Sequence, residues 1–242
     1  MSIVVADYSF ARPTPAQLKA AGVKAVGRYF GQAGPPKNLT KTEAAGLTAA
    51  GIAIFSIFEY GAQQATGGAA QAVKDVALAR QQRDEVGMPH NRPFYFAVDF
   101  DLPDYAPGST DPLAKLGPVG AYFRTIHAEM GGNAGGYGGY WLIKRLFDAH
   151  LITWGFQTVA WSGGQWDARA CLRQGGATAL GGAVDLDSAQ RADFGQWGVA
   201  APAPPPPPAQ LDGYLVLPGA AGGLTGRAVT SPPPPGAKQV WG

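Results

Sequence analysis

The sequence predicts an α/β protein: a compact, partly irregular (β/α)8 barrel followed by a Pro-rich C-terminal extension. Three observations carry that prediction. Strand-like and helix-like segments alternate over the first ~190 residues, which implies a parallel sheet covered on both faces. The strand segments number eight, which suits a barrel near the short end of the roughly 200–400 residue range. Beyond residue 198 charge nearly vanishes and proline takes over. An open doubly wound sheet is the architectural alternative.

The elements follow in order. Strands are expected at 3–8, 23–30, 53–60, 93–101, 134–140, 155–161 and 183–187, with a weaker one at 170–174. Helices are expected at 15–21, 42–50, 69–86, 116–130 and 141–150. Thr14-Pro15 and the run from Thr40 to Glu43 read as helix starts, a capping residue followed by proline or an acid. Gly22, Gly51 and Gly87 fall just past helix ends, where a left-handed residue is favoured. The last two units are abbreviated. Gly135-Gly136-Tyr137-Gly138-Gly139 lacks the strand–GxGxxG–helix order of a phosphate loop and reads as a close-packed strand end.

The most informative segment is Pro93-Phe94-Tyr95-Phe96-Ala97-Val98-Asp99-Phe100-Asp101. Side chains alternate along a strand. Phe94, Phe96, Val98 and Phe100 therefore form an apolar face for a helix layer, while Tyr95, Ala97, Asp99 and Asp101 share the other. Asp7 ends the first strand, Glu59 the third, and Asp185 with Asp187 the last. Acids at several strand exits converge on one rim, where barrels of this kind place their active sites. Asp7, Glu59, Asp99, Asp101 and Asp185 are the candidate catalytic residues. Aromatics join them: Tyr8, Tyr29, Tyr60, Tyr105, Tyr137, Trp161 and Trp166 lie at or just past strand ends. Carboxylates with aromatic rings are the composition of a carbohydrate cleft. Tyr8, Arg28, Tyr60, Tyr137 and Trp161 are the candidate substrate contacts.

Composition removes other classes. Lys and Arg total 19 against 17 acids, a formal charge of +2 without a basic stripe, so no nucleic-acid partner is expected. No apolar stretch reaches the length of a membrane span. The lone Cys171 forms no internal disulfide, and the three histidines lack ligand spacing. No cofactor or metal is expected; a divalent-metal phosphodiesterase remains a distant alternative, with acids but no histidine at strand ends. The start of the chain has no basic, apolar and cleavage pattern of a secretory signal. A protein that is virion-associated, or cytoplasmic until lysis, is therefore expected.

The series Asp7-Tyr8, Gly27-Arg28-Tyr29-Phe30, Phe58-Glu59, Tyr95 through Asp101, Tyr137-Gly138, Ala160-Trp161-Ser162 and Val184-Asp185-Leu186-Asp187 resembles a known family over residues 1–198. It is the glycoside-hydrolase-like TIM-barrel domain of unknown function in actinobacterial envelope proteins and their phages, distantly similar to family-25 lysozymes (muramidases). The resemblance implies a peptidoglycan-like cell-envelope glycan as partner and carboxylate catalysis. In those lysozymes the fourth strand ends in Asp-x-Glu, the Glu donating a proton to the leaving oxygen. Asp101 stands at that position here, as in the glycoside-hydrolase-like group. One methylene less withdraws the carboxyl by roughly 1.3–1.5 Å, and about 1 Å of misplacement costs ~100-fold in rate. Glu59 on the neighbouring strand is the other expected acid, with Asp99 and Asp7 as the ionised partners. A non-catalytic carbohydrate-binding or structural virion (tail) component is the second reading.

The segment 199–242 differs in kind. Proline runs at 204–208 and 232–235 favour extended polyproline II. About 20 residues between them, with Tyr214-Leu215-Val216-Leu217, are too few for a core of their own. The extension is expected to lie against the barrel or another chain, for example other virion or tail subunits.

Overall fold

The computed structural model of the protein describes residues 3–102 and 110–199. Eight strands close into a barrel in chain order: β1 (Ile3–Asp7), β2 (Ala25–Phe30), β3 (Ala53–Phe58), β4 (Phe94–Ala97), β5 (Ala134–Gly138), β6 (Trp154–Thr158), β7 (Leu172–Ala179) and β8 (Val184–Ala189). The helices are α1 (Pro15–Ala20), α2 (Lys41–Ala49), α3 (Gly68–Val86), α4 (Pro118–Met130) and α5 (Tyr140–Asp148). The alternative of an open sheet is thereby removed.

Local chemistry sets these boundaries. Thr14 closes a capping box with Gln17 and Pro15 opens α1, while the Thr40 hydroxyl accepts from the Glu43 amide at the start of α2. Gly22, Gly51 and Gly87 turn the chain out of their helices with φ of 78°, 73° and 77°. The glycines of β5 permit close approach: a Cβ on Gly135 would meet the Phe94 carbonyl at 2.7 Å, and one on Gly138 would meet Leu142 at 2.6 Å.

One expectation needs correction. The sheet is not parallel throughout: β1 to β7 are parallel, but β8 runs antiparallel to both β7 and β1. The seventh strand, expected as a weak piece, extends to Ala179 and joins β8 through a tight turn at Leu180–Gly182, with a register shift between Gln174 and Ala177. The short link leaves no room for the helical crossover that a parallel eighth strand requires.

Strand alternation divides the core in two. Ala6, Val26, Phe30, Ile54, Phe58, Phe94, Phe96 and Val98 point outward and pack with Leu18, Leu47, Val76, Tyr122 and Leu146 of the helices. Val5, Ala25, Phe55, Ile57, Tyr95, Phe156 and Leu172 point inward. Phe194 closes the far end, where its carbonyl accepts from the Tyr95 hydroxyl at 2.6 Å. Aromatic rings therefore fill the lower barrel, and a cavity opens at the other end. The 199–242 extension, apart from Val199, and Tyr105 lie outside the described residues.

Candidate active site

The open space is a cavity of about 370 Å³ at the carboxyl ends of the parallel strands. Tyr29, Ile57, Glu59, Asp99 and Tyr137 line one part; Thr158, Ala160, Gln174, Gly176 and Asp185 line the rest. The reversal of β8 explains how its acids reach this mouth. Asp185 lies beside Asp7, and Asp187 lies one layer deeper, beside Val5. Asp185 stands at the start of β8, not its exit, and the antiparallel direction brings that start to the rim.

Asp7 lies behind the lining and is 2% exposed. Its Oδ1 accepts from the Tyr29 hydroxyl at 2.8 Å and its Oδ2 from Gln174 Nε2 at 2.9 Å. The Gln174 carbonyl accepts in turn from the Tyr137 hydroxyl at 2.7 Å, which fixes the amide's orientation. Asp187 is also buried, and among the described residues no donor other than the Asp7 carboxyl reaches its oxygens. Its neighbour is another carboxyl, Asp7. Burial pushes the titration of both upward, and their mutual repulsion keeps one proton in the pair. Burial raises the Asp185 carboxyl as well. The Tyr29 and Tyr137 phenols are pushed well up, first by burial and then by the nearby Asp7 charge, so both remain donors.

Glu59 is held by Lys37, whose ammonium lies 3.3 Å from Oε2 and 4.8 Å above the Tyr29 ring centre. Among the described residues, no three or more His, Cys, Asp or Glu are grouped to hold a metal ion. No helix of the described residues is long and apolar enough to cross a membrane.

The cavity thus gathers Glu59, Asp99, Asp185 and Tyr137 of the sequence-derived candidates, and Asp7 lies behind the lining, bonded to Tyr29 and Gln174. It does not gather the others. Asp101 is exposed and absent from the lining, because β4 ends at Ala97 and the chain has left the strand direction by then. Arg28 points outward with Val26 and Phe30, fully buried and bonded to Glu43. Tyr8 follows the end of β1 and donates to Glu43 at 3.1 Å, beneath the Arg28 guanidinium. Tyr60 donates to Asp75 of α3 at 3.1 Å. Trp161 lines a separate small crevice with Phe100, Leu102, Trp141 and Leu142. Asp187, named among the strand-end acids but not among the catalytic candidates, joins Gln174 and Lys37 as residues at the site that the candidate set lacked. The Asp185-x-Asp187 spacing signalled the first; the other two stand on a weak strand and a Pro-rich loop without periodicity.

No curated protein matches the chain by sequence. The fold is shared with the Tat-secreted protein Rv2525c of Mycobacterium tuberculosis, solved with L-tartrate, at 24% identity and a TM-score of 0.71, covering 80% of this chain and 98% of that one. It is shared too with the modular autolysin LytC of Streptococcus pneumoniae (14% identity, TM-score 0.50, 77% of this chain and 46% of that one). The spore cortex lytic enzyme SleM of Clostridium perfringens is similar at 13% identity and a TM-score of 0.50, over 78% of this chain and 67% of that one. Residues 16–194 match the model of the Rv2525c-like, glycoside hydrolase-like domain, and the chain belongs to that family.

Proposed function

We propose that the barrel is a glycoside hydrolase acting on a cell-envelope glycan of the peptidoglycan class. The observation that carries this reading is that Asp99 and Asp185 line one cavity from strands four apart in the ring of eight. A sugar chain laid across the mouth has a carboxyl on each side, the arrangement that glycoside hydrolysis requires. Asp185, whose titration burial raises, gives its proton to the glycosidic oxygen as the bond to the anomeric carbon breaks. Asp99 takes a proton from the water that attacks that carbon, or attacks the carbon itself, according to the separation of the two groups. Asp7, anchored by Tyr29 and Gln174, stabilises the oxocarbenium-like state. Glu59 is committed to Lys37 and takes no part in proton delivery. Membership of a glycoside hydrolase-like family supports this reading, as does a fold shared with an autolysin and a cortex lytic enzyme.

The test is release of reducing ends from purified cell walls. Asp99→Asn and Asp185→Asn are each expected to lower it by at least ~100-fold with an unchanged melting temperature. Full activity in either variant removes that residue from the mechanism. The exposed position of Asp101 favours a second reading, a non-catalytic glycan-binding barrel. It predicts wall sedimentation of the protein without reducing-end release. Attachment to phage tail or other virion subunits through 199–242 is a narrower proposal, resting on the two proline runs. It is tested by co-purification of the full chain with particles and loss of that association on truncation at residue 199.

A further inference from the structure

Two stretches of chain pass from the acidic cavity to the apolar crevice beside it in a single step. Asp99 and Ala160 line the cavity, and the residues that follow them, Phe100 and Trp161, line the crevice. Tyr137 of β5 and Gly139 just past that strand divide in the same way. The crevice is therefore continuous with the mouth on the side of β4, β5 and β6. None of its lining residues carries a charge, in contrast to the acids next door. Phe100 and Leu102 root it in the outer core.

Trp161 is the exposed member, at 36%. Its φ of 55° is a left-handed backbone conformation, which is costly for so bulky a residue. The buried Ser162 holds the turn in place. Its hydroxyl accepts from the Tyr140 amide at 2.9 Å and from Gln157 Nε2 at 3.2 Å, and donates to the Thr158 carbonyl. Gly139 lets the turn close: an added Cβ there would meet the Trp161 carbonyl at 2.9 Å and its Cβ at 3.0 Å. A strained and well-fixed backbone thus keeps a large aromatic residue at the surface, where burial would be the favourable outcome. The crevice is too narrow to admit a water molecule. What this patch offers a ligand is the surface of Trp161 itself.

We propose that Trp161, backed by Phe100 and Leu102, is a sugar-stacking subsite that takes a further pyranose ring of the glycan outside the cavity. This inference rests on the glycan-directed reading and specifies how long a glycan the site recognises. The C–H face of a pyranose is apolar and packs on an aromatic ring while its hydroxyls stay in water. A chain leaving the cavity between the ends of β4 and β6 meets Trp161 directly, because Ala160 and Trp161 are consecutive. Trp161 touches neither Asp99 nor Asp185 in this role, so it adds affinity for a longer chain and is not a catalytic residue.

Isothermal titration of the full-length protein with peptide-free peptidoglycan strands, a disaccharide and a tetrasaccharide, tests the proposal. Asp185→Asn is present throughout to arrest turnover. The tetrasaccharide is expected to bind about tenfold tighter than the disaccharide. Trp161→Ala is expected to remove that advantage while leaving the affinity for the disaccharide and the melting temperature unchanged. Trp161→Tyr keeps a ring in the same turn, guards against a folding defect in the first variant, and is expected to retain most of the advantage. Equal binding of the two strands before Trp161 is changed overturns the proposal and leaves the glycan-directed reading intact. So does an advantage that survives Trp161→Ala, or an equal loss at both lengths. Failure of both strands to bind, in a protein that without Asp185→Asn also releases no reducing ends from walls, overturns both.

Discussion

Two buried polar clusters lie on opposite faces of the same pair of strands, β1 and β2. Outside the barrel wall, the Arg28 guanidinium donates to both Glu43 oxygens at 2.7 and 3.2 Å, to the Lys37 carbonyl at 3.1 Å and to the Tyr8 carbonyl. Charge and donors are matched. Inside the wall, Asp7 has the Tyr29 and Gln174 donors but, among the described residues, Asp187 is met only by the Asp7 carboxyl. A matched cluster holds a helix to a sheet and leaves no bonding capacity for anything else. A mismatched one costs stability and holds a shared proton. The difference separates scaffold from candidate site more sharply than charge or burial does, since both clusters are charged and both are buried.

The contrast breaks most visibly at Arg28. Arg28→Met takes the two-pronged guanidinium from Glu43, leaving it the Tyr8 hydroxyl and the more distant Arg12, and is expected to destabilise the protein by about 3 kcal/mol in urea unfolding, in the range for breaking a buried pair from one side. A loss below ~1 kcal/mol would mean that the outer cluster is not structural. Asp187→Asn is expected to have the opposite sign. Burial raises both carboxyls of the inner pair in the folded state, so the native protein binds more protons than the unfolded chain. Stability is therefore full below the ordinary carboxylate range and falls as pH rises through the raised titration. The amide introduced by this substitution adds a donor toward Asp7 and removes no charge that the site needs for folding. The variant should be more stable than wild type at neutral pH, by on the order of 1–2 kcal/mol, and equal to it at strongly acid pH.

A smaller effect sharpens the picture. Tyr137→Phe removes the donor that fixes the Gln174 amide and is expected to cost about 1 kcal/mol, with weakened sedimentation on purified cell walls. Smallest is Asp101→Asn. With an exposed side chain away from the cavity, it should change stability by less than ~0.5 kcal/mol and leave reducing-end release unaltered. A lost activity there would return Asp101 to the site.

Much of the framework is legible in the chain. Alternation in Phe94–Ala97 separates the helix-facing rings from the cavity-facing side, as Phe96 in the outer core and Tyr95 in the inner one demonstrate. Capping residues and glycines mark helix ends to within one or two positions. The direction of β8 is not legible, because Val-Asp-Leu-Asp-Ser-Ala alternates identically in either sense. Only the short link from β7 decides it. Arg28 belongs to the outer wall and not to the cavity, and its parity carries that information: it shares a face with Val26 and Phe30, both in the outer core. The inward neighbour, Gly27, has no side chain to announce the cavity. Tyr8 and Tyr60 leave the site for a related reason. Each stands one residue past an inward acid, Asp7 and Glu59, and so turns outward. Lys37 comes from a loop and Gln174 from a short inward strand segment, where no periodicity reveals a neighbour distant in sequence.

The mismatch within the barrel is accessible to one measurement, a carboxyl carbon NMR titration of the full-length protein. Asp187 is expected to titrate well above the ordinary carboxylate range, with Asp7 raised and coupled to it. Ordinary, independent titration of the two carboxyls would contradict the picture of a shared proton held inside the barrel behind the cavity.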